Sequence, residues 1–157
     1  AAITGHLVLA TVHTNDTAST LTRLIDMGVE PYLVSSSVVG ITAQRLMRRI
    51  CSNCKTAYTP DRLEMDVLKI REPQTLYRGA GCSSCNYTGY RGRVAIHEIM
   101  PINAQVRELI DKRASIDHIR NVTIRQGTTT LRENSTELVL KGVSTIEELL
   151  KVTYSVE

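Results

Sequence analysis

The chain has 157 residues, 42% of them hydrophobic, with six Tyr, no Trp, no Phe and a formal net charge of +3. That length allows one ordinary domain, or a domain with a small insertion, whose core is built mostly from Leu, Ile, Val and Met. The mild positive charge falls short of the clustered basic face of a nucleic-acid binder, and the uncharged stretch Pro31 to Gln44 is too short and too serine-rich to span a bilayer.

The chain opens on Ala1-Ala2-Ile3-Thr4-Gly5-His6, which reads as the end of a helix with Gly5 in a cap position. Leu7 to Val12 is a continuous apolar run of strand length, the pattern of a strand covered on both faces in a parallel α/β sheet. A beginning in mid-fold suggests a fragment. His13-Thr14-Asn15-Asp16 then supplies helix caps, before a helix with Leu21, Leu24 and Ile25 on one face that stops at Met27-Gly28. Pro31 opens a second helix through Leu33, Val34, Val38 and Val39, and Arg45 to Ile50 reads as a strand.

Thr59-Pro60-Asp61 predicts a capped helix with Leu63, Val67, Leu68 and Ile70 inward. Gln74 to Arg78 predicts a short strand, Gly79, Gly81, Gly89 and Gly92 bend the chain, and Val94 to Met100 is a further strand. Everything after Pro101 reads as helix. Asn103 and Ser115 cap the first two segments, and capping boxes at Thr130 to Glu133 and Ser144 to Glu147 start the others. Four short helices predict a small C-terminal bundle.

All four cysteines fall in two C-x-x-C knuckles, Cys51/Cys54 and Cys82/Cys85. Two knuckles complete a tetrahedral S4 shell, the shell of structural Zn²⁺, with no open position for substrate. Neither pair opens a helix as a redox dithiol does. With no basic leader in front of them, paired thiols predict a reducing compartment, with the cytoplasm as default. The segment between the knuckles is longer than in common zinc ribbons, so it must carry a helix of its own.

His6 and His13 flank the apolar run. At about 3.3 Å per strand residue they would stand on the order of 20 Å apart, too far to share a small site. His13 sits where open α/β sheets place ligand-contacting groups. Arg23, Arg45, Arg48 and Arg49 are candidates for phosphate or subunit contacts, against a plain reading as solvated faces. His97 and His118 read as structural or exposed. No zinc-protease motif and no nucleophile elbow occur.

Three stretches carry a resemblance. Thr4 to Asp16 resembles the histidine box of the secretion traffic ATPases, and Ala43-Gln44-Arg45-Leu46 leading to Cys51-x-x-Cys54-Lys55 resembles the segment that follows it. Cys82-x-x-Cys85-x-x-Thr88-Gly89-Tyr90-x-Gly92-Arg93-x-Ala95-Ile96-His97-Glu98 resembles the second half of their tetracysteine motif. The tail segments Gln126 to Leu131 and Gly142 to Glu148 resemble the same family, so the likeness covers essentially the whole chain. Its members are the type II secretion ATPase and the type IV pilus extension ATPase. Pilus retraction ATPases generally lack the four cysteines and are set aside.

The resemblance implies part of a RecA-like P-loop core over residues 1–50, a tetracysteine zinc insert over 51–93, and a return strand with a C-terminal helical bundle over 94–157. It implies a homohexamer using ATP and Mg²⁺, cytoplasmic but peripheral to the inner membrane, that moves a membrane platform and its assembly proteins. No nucleic-acid partner is implied. The work would be pilus assembly or type II secretion, with the pilus branch preferred. His13, together with His6, would contact or sense nucleotide phosphate. The chain has no G-x-x-x-x-G-K-[ST] loop, so as a fragment it is expected to be inactive alone. The competing expectation is a zinc-stabilised, non-catalytic module that binds protein or nucleic acid.

Overall fold

A computed structural model describes residues 1–153. After a short 3-10 turn at Ala2–Thr4 come helices α1 (Thr17–Asp26) and α2 (Pro31–Ser37) and strand β1 (Gly40–Ile50). Strand β2 (Lys55–Tyr58), helix α3 (Arg62–Leu68) and strands β3 (Leu76–Gly79) and β4 (Tyr90–Pro101) follow. Helices α4 (Ala104–Asp111), α5 (Ile116–Arg125), α6 (Leu131–Leu140) and α7 (Ile146–Thr153) complete the chain. β1 pairs with β4, and β2 pairs antiparallel with β3 in the register Lys55↔Gly79 to Tyr58↔Leu76.

The chain divides into two compact units, one of Ala1–Ala43 with His97–Thr130, the other of Gln44–Ile96 with the chain from Leu131 onward. In the first unit the helix caps are those the sequence calls for. Asp16 Oδ1 accepts from Ser19 N–H at 2.7 Å, and Asn103 and Ser115 cap α4 and α5 in the same way. Pro31 occupies the first turn of α2. Leu21, Val34, Met100, Val106, Ile110 and Ile119 are among the side chains of one buried apolar core.

In the second unit, Asp61 and Glu64 close a reciprocal capping box at the start of α3. α6 and α7 pack as a hairpin that touches β3 and α3. Its buried apolar residues include Met47, Leu76, Val139 and Leu149.

Several expectations need correction. Leu7 to Val12 is not a strand: Leu7 is 83% and Leu9 88% exposed, and the run has no regular structure. A strand needs a partner to complete its hydrogen-bond ladder, and the four strands among the described residues pair elsewhere. No parallel pair occurs among the described residues, so the mixed α/β class holds while the RecA-like sheet is not seen. The four C-terminal helices divide between the units, α4 and α5 in the first and α6 and α7 in the second, so a single C-terminal bundle is not seen among the described residues. The packing partners decide this: α4 buries Val106 and Ile110 in the core with α1 and α2, while α6 and α7 pack on each other.

Two smaller differences follow the same logic. Leu63, expected to face inward, is 75% exposed, and Leu68 is the buried residue of α3. Thr145, rather than Ser144, offers its hydroxyl to the start of α7, accepting from Glu148 N–H at 3.5 Å. Ser144 is spent on the Arg48 carbonyl instead.

Candidate functional site

The four cysteines are brought together by the two C-x-x-C turns and by the hairpin between them. Ser52–Cys54 and Ser83–Cys85 each form a 3-10 turn that aims two sulfurs the same way. Ala80 N–H donates to the Cys54 carbonyl at 2.9 Å and Cys51 N–H to the Gly89 carbonyl at 2.9 Å, so the two knuckles are joined through backbone. The approach is close enough to require glycine. A Cβ on Gly79 would lie 2.1 Å from the Gly89 carbonyl oxygen. Asn53 Nδ2 also donates to Ser84 Oγ at 2.9 Å across the two turns.

All four Sγ atoms lie within 4.8 Å of one another. Cys51–Cys82 is 3.9 Å, Cys54–Cys85 3.8 Å and Cys82–Cys85 3.8 Å, and every cysteine is a free thiol. These separations are far too long for a disulfide, about 2.05 Å. A tetrahedron with metal–sulfur bonds of about 2.3 Å has edges of about 3.8 Å, so the spacing fits one thiolate-bound ion.

The thiols are not equivalent. Burial pushes Cys85 up, but N–H groups of Cys82 and Gly89, 3.2 and 3.3 Å from its sulfur, outweigh this and hold it at about 6. Burial and the neighbouring thiols push Cys54 up to about 12, against a hydrogen bond from the Gly81 backbone. With four sulfurs this close, each thiolate opposes the next, a conflict that a bound cation removes.

His13 lies in the other unit, in an open depression of about 310 Å³ lined also by Thr14, Asn15, Ser19, Thr22 and Arg23. Asp26 and Ile116 also line the depression, and N–H groups at the start of α1 are already taken, Thr17 N–H by Glu98 and Ser19 N–H by Asp16. His6 is not part of it. Its Nδ1 stays within the N-terminal turn, 3.2 Å from Thr4 Oγ1 and 3.3 Å from the Ala1 carbonyl. Arg23 therefore joins His13, and His6 does not.

Of the remaining arginines, Arg48 has a structural role. Its Nε and Nη2 donate to Glu148 Oε1 at 2.9 and 2.7 Å, and its guanidinium lies 3.9 Å from the Tyr90 ring centroid. Arg45 Nη1 donates to the Gln44 carbonyl at 3.0 Å, and Arg49 is exposed. His97 and His118 are exposed.

The sequence offered Asp16 as a helix cap, but the partners of three buried acidic groups emerge only in the structure. Asp16 also accepts from Arg120 Nη2 at 2.7 Å, Glu98 Oε1 accepts from Thr17 N–H at 3.0 Å and from its hydroxyl at 2.5 Å, and Glu148 holds Arg48. A signal for Glu98 existed: it shares strand parity with Ile96 and Met100, so it had to point inward.

The chain matches the family described as Type II/IV secretion system protein over residues 1–151, and it belongs to that family. It is 43% identical over 157 residues to the type IV pilus assembly ATPase PilB of Thermus thermophilus, covering 98% of this chain and 18% of that protein. Over 155 residues it is 42% identical to the type II secretion system ATPase E of Vibrio cholerae, 98% of this chain and 31% of the relative. With the type IV pilus assembly ATPase TfpB of Acinetobacter baylyi the identity is 39% over 156 residues, 97% and 27% of the two chains. The chain thus spans less than a third of the length of these relatives. No helix among the described residues is long and apolar enough to cross a membrane.

Proposed function

We propose that this chain is the C-terminal part of a traffic ATPase that drives type IV pilus assembly or type II secretion. The observation that carries this is the likeness to both kinds of ATPase, near 40% identity across almost the entire chain. In this reading the whole protein binds ATP and Mg²⁺ on a P-loop supplied outside these residues. It works as a cytoplasmic homohexamer at the inner membrane and passes the energy of hydrolysis to a membrane platform and its assembly proteins.

Residues 1–50 are then a portion of a RecA-like core, and the exposed apolar run Leu7 to Val12, irregular in this chain, becomes a strand only where the rest of that core covers it. His13 contacts nucleotide phosphate from its depression, with Arg23 beside it, and His6 belongs to the same box in a lesser role. Residues 51–93 hold structural Zn²⁺ through Cys51, Cys54, Cys82 and Cys85, and 94–157 follow as the return strand and C-terminal helices. The ion supplies no catalysis there, because four thiolates fill its shell.

The test compares two proteins. The isolated 157-residue chain hydrolyses no ATP, and in the whole protein His13→Ala lowers kcat roughly 10²-fold, the scale of losing one donor to a developing phosphate charge. ATP hydrolysis by the isolated chain that disappears in His13→Ala would overturn the reading.

A further inference from the structure

The turn between α6 and α7 is hydrogen-bonded to the strand that enters the first knuckle. Ile50 N–H donates to the Val143 carbonyl at 2.9 Å, immediately before Cys51, whose own N–H donates to Gly89. Two residues earlier, the Arg48 carbonyl accepts from the Ser144 hydroxyl at 2.8 Å. The Arg48 backbone N–H donates to Glu148 Oε2 at 2.9 Å while its guanidinium closes on Oε1 of the same carboxylate. The Glu148 side chain is 7% exposed and that of Arg48 38%, so the carboxylate end of this grip is shielded while the guanidinium stays partly in water.

The other side of the turn sits on the β2–β3 hairpin. Gly142 has φ 65°, and a Cβ there would lie 2.4 Å from Tyr77 Cδ2 and 2.9 Å from Lys55 Nζ. Lys55 follows Cys54 directly, and the hairpin returns through Gly79 and Ala80 toward Cys82. Residues 48–51 and the hairpin therefore serve twice: they carry the cysteines, and they form the seat of the α6–α7 turn.

We propose that occupancy of the four-cysteine site governs docking of the α6–α7 hairpin, so that metal loss releases it. The inference rests on the metal reading above and extends it to a pair of helices that contribute no ligand. An ion joins the chain on either side of the hairpin, at Cys51/Cys54 and at Cys82/Cys85, and so holds the seat in shape. Without it, four crowded thiols replace a closed shell, and the strand end bearing Ile50 and Arg48 loses its anchor. Linkage makes the coupling reciprocal: the factor by which the ion strengthens docking is the factor by which docking strengthens metal affinity, so a substitution that weakens docking weakens metal binding by up to that factor.

The experiment uses the 157-residue chain, its zinc content measured first, followed by residue-resolved hydrogen exchange before and after removal of the ion with a chelator. Removal speeds exchange in α6, α7 and the Ile50 amide roughly tenfold or more, while α4 and α5 change less than about twofold. In the loaded protein, Glu148→Gln still takes up zinc but exchanges faster at Ile50 and in α7. By competition with a chelator of known affinity, it also binds zinc more weakly, by up to the factor by which chelation loosens the hairpin. Gly142→Ala, which drives a methyl against Tyr77, repeats the pattern through an independent contact.

Full protection of α6 and α7 after chelation overturns the proposal, and so does a Glu148→Gln protein with loosened α7 and unchanged zinc affinity. A folded chain that takes up no zinc overturns the metal reading itself, and the first measurement reveals that before any exchange is followed.

Discussion

In the unit formed by Ala1–Ala43 and His97–Thr130, eight buried apolar side chains make one contiguous core. Each unit holds one buried carboxylate paired with an arginine, Asp16 with Arg120 in the first and Glu148 with Arg48 in the second, but only the unit built from Gln44–Ile96 and the helices α6 and α7 carries a thiol cluster beside its buried apolar residues. The difference teaches where each is vulnerable. A contiguous apolar core loses stability in increments as contacts are removed, because dispersion and burial sum over many atoms. A cluster of four thiols acts as a single keystone, because three ligands do not close the shell that four complete.

The largest effect expected from this comparison is that of Cys85→Ser. The free energy of a structural zinc site is on the order of 10 kcal/mol or more at neutral pH, and much of it is folding energy. Metal content should fall from about one ion per chain, and amide protection should collapse in the second unit while α1, α4 and α5 remain protected. Equal loss in both units, followed by hydrogen exchange, would erase the contrast.

Leu21→Ala, at a position 1% exposed, tests the other side. It should cost about 2–5 kcal/mol in denaturant unfolding of the first unit, through lost burial and the cavity left behind. Zinc content should not change. A smaller effect concerns Asp16. Burial pushes its carboxyl up, but hydrogen bonds from Ser19 and the paired Arg120 outweigh this and hold it below the usual 3.8.

A carboxyl with a lowered folded-state pKa stabilises fully above its unfolded value and loses that contribution as pH falls through the folded one. Asp16→Ala should therefore cost about 1–2 kcal/mol at neutral pH, the value of a helix cap. That difference should shrink below pH 3.8, as denaturant melts of the two proteins at several pH values would record.

The smallest effect in this chain is predicted for Leu9→Lys. At 88% exposure the leucine contributes little here, and the change should stay within about 0.5 kcal/mol by thermal or denaturant melting. In the whole protein, where the proposed core covers this run, the same substitution should be severely destabilising. A similar small effect in both would remove the case for a buried strand at Leu7 to Val12.

Much of this chain was legible from local chemistry. Asp16, Pro31, Asp61, Asn103 and Ser115 mark helix starts because a cap acts on the backbone two or three residues away, so its information is contained in a short window. The cysteine spacing predicted the cluster for the same reason, each knuckle being a local turn and only the meeting of the two being long-range. Leu7 to Val12 misled because an apolar run records a need for burial and not the presence of a cover. The C-terminal helices misled because each amphipathic face says that it needs a partner without saying which.

By itself, then, the sequence determined most of the helix starts, the two cysteine knuckles and membership of the secretion family. Only the tertiary structure decided that His13 shares a depression with Arg23 and not with His6, and that α4 and α5 part company with α6 and α7. It alone showed Arg48 held by Glu148, a hundred positions along the chain. Caps and knuckles are local interactions, whereas ion pairs and packing faces are chosen among many chemically equivalent partners, and that choice is made by geometry.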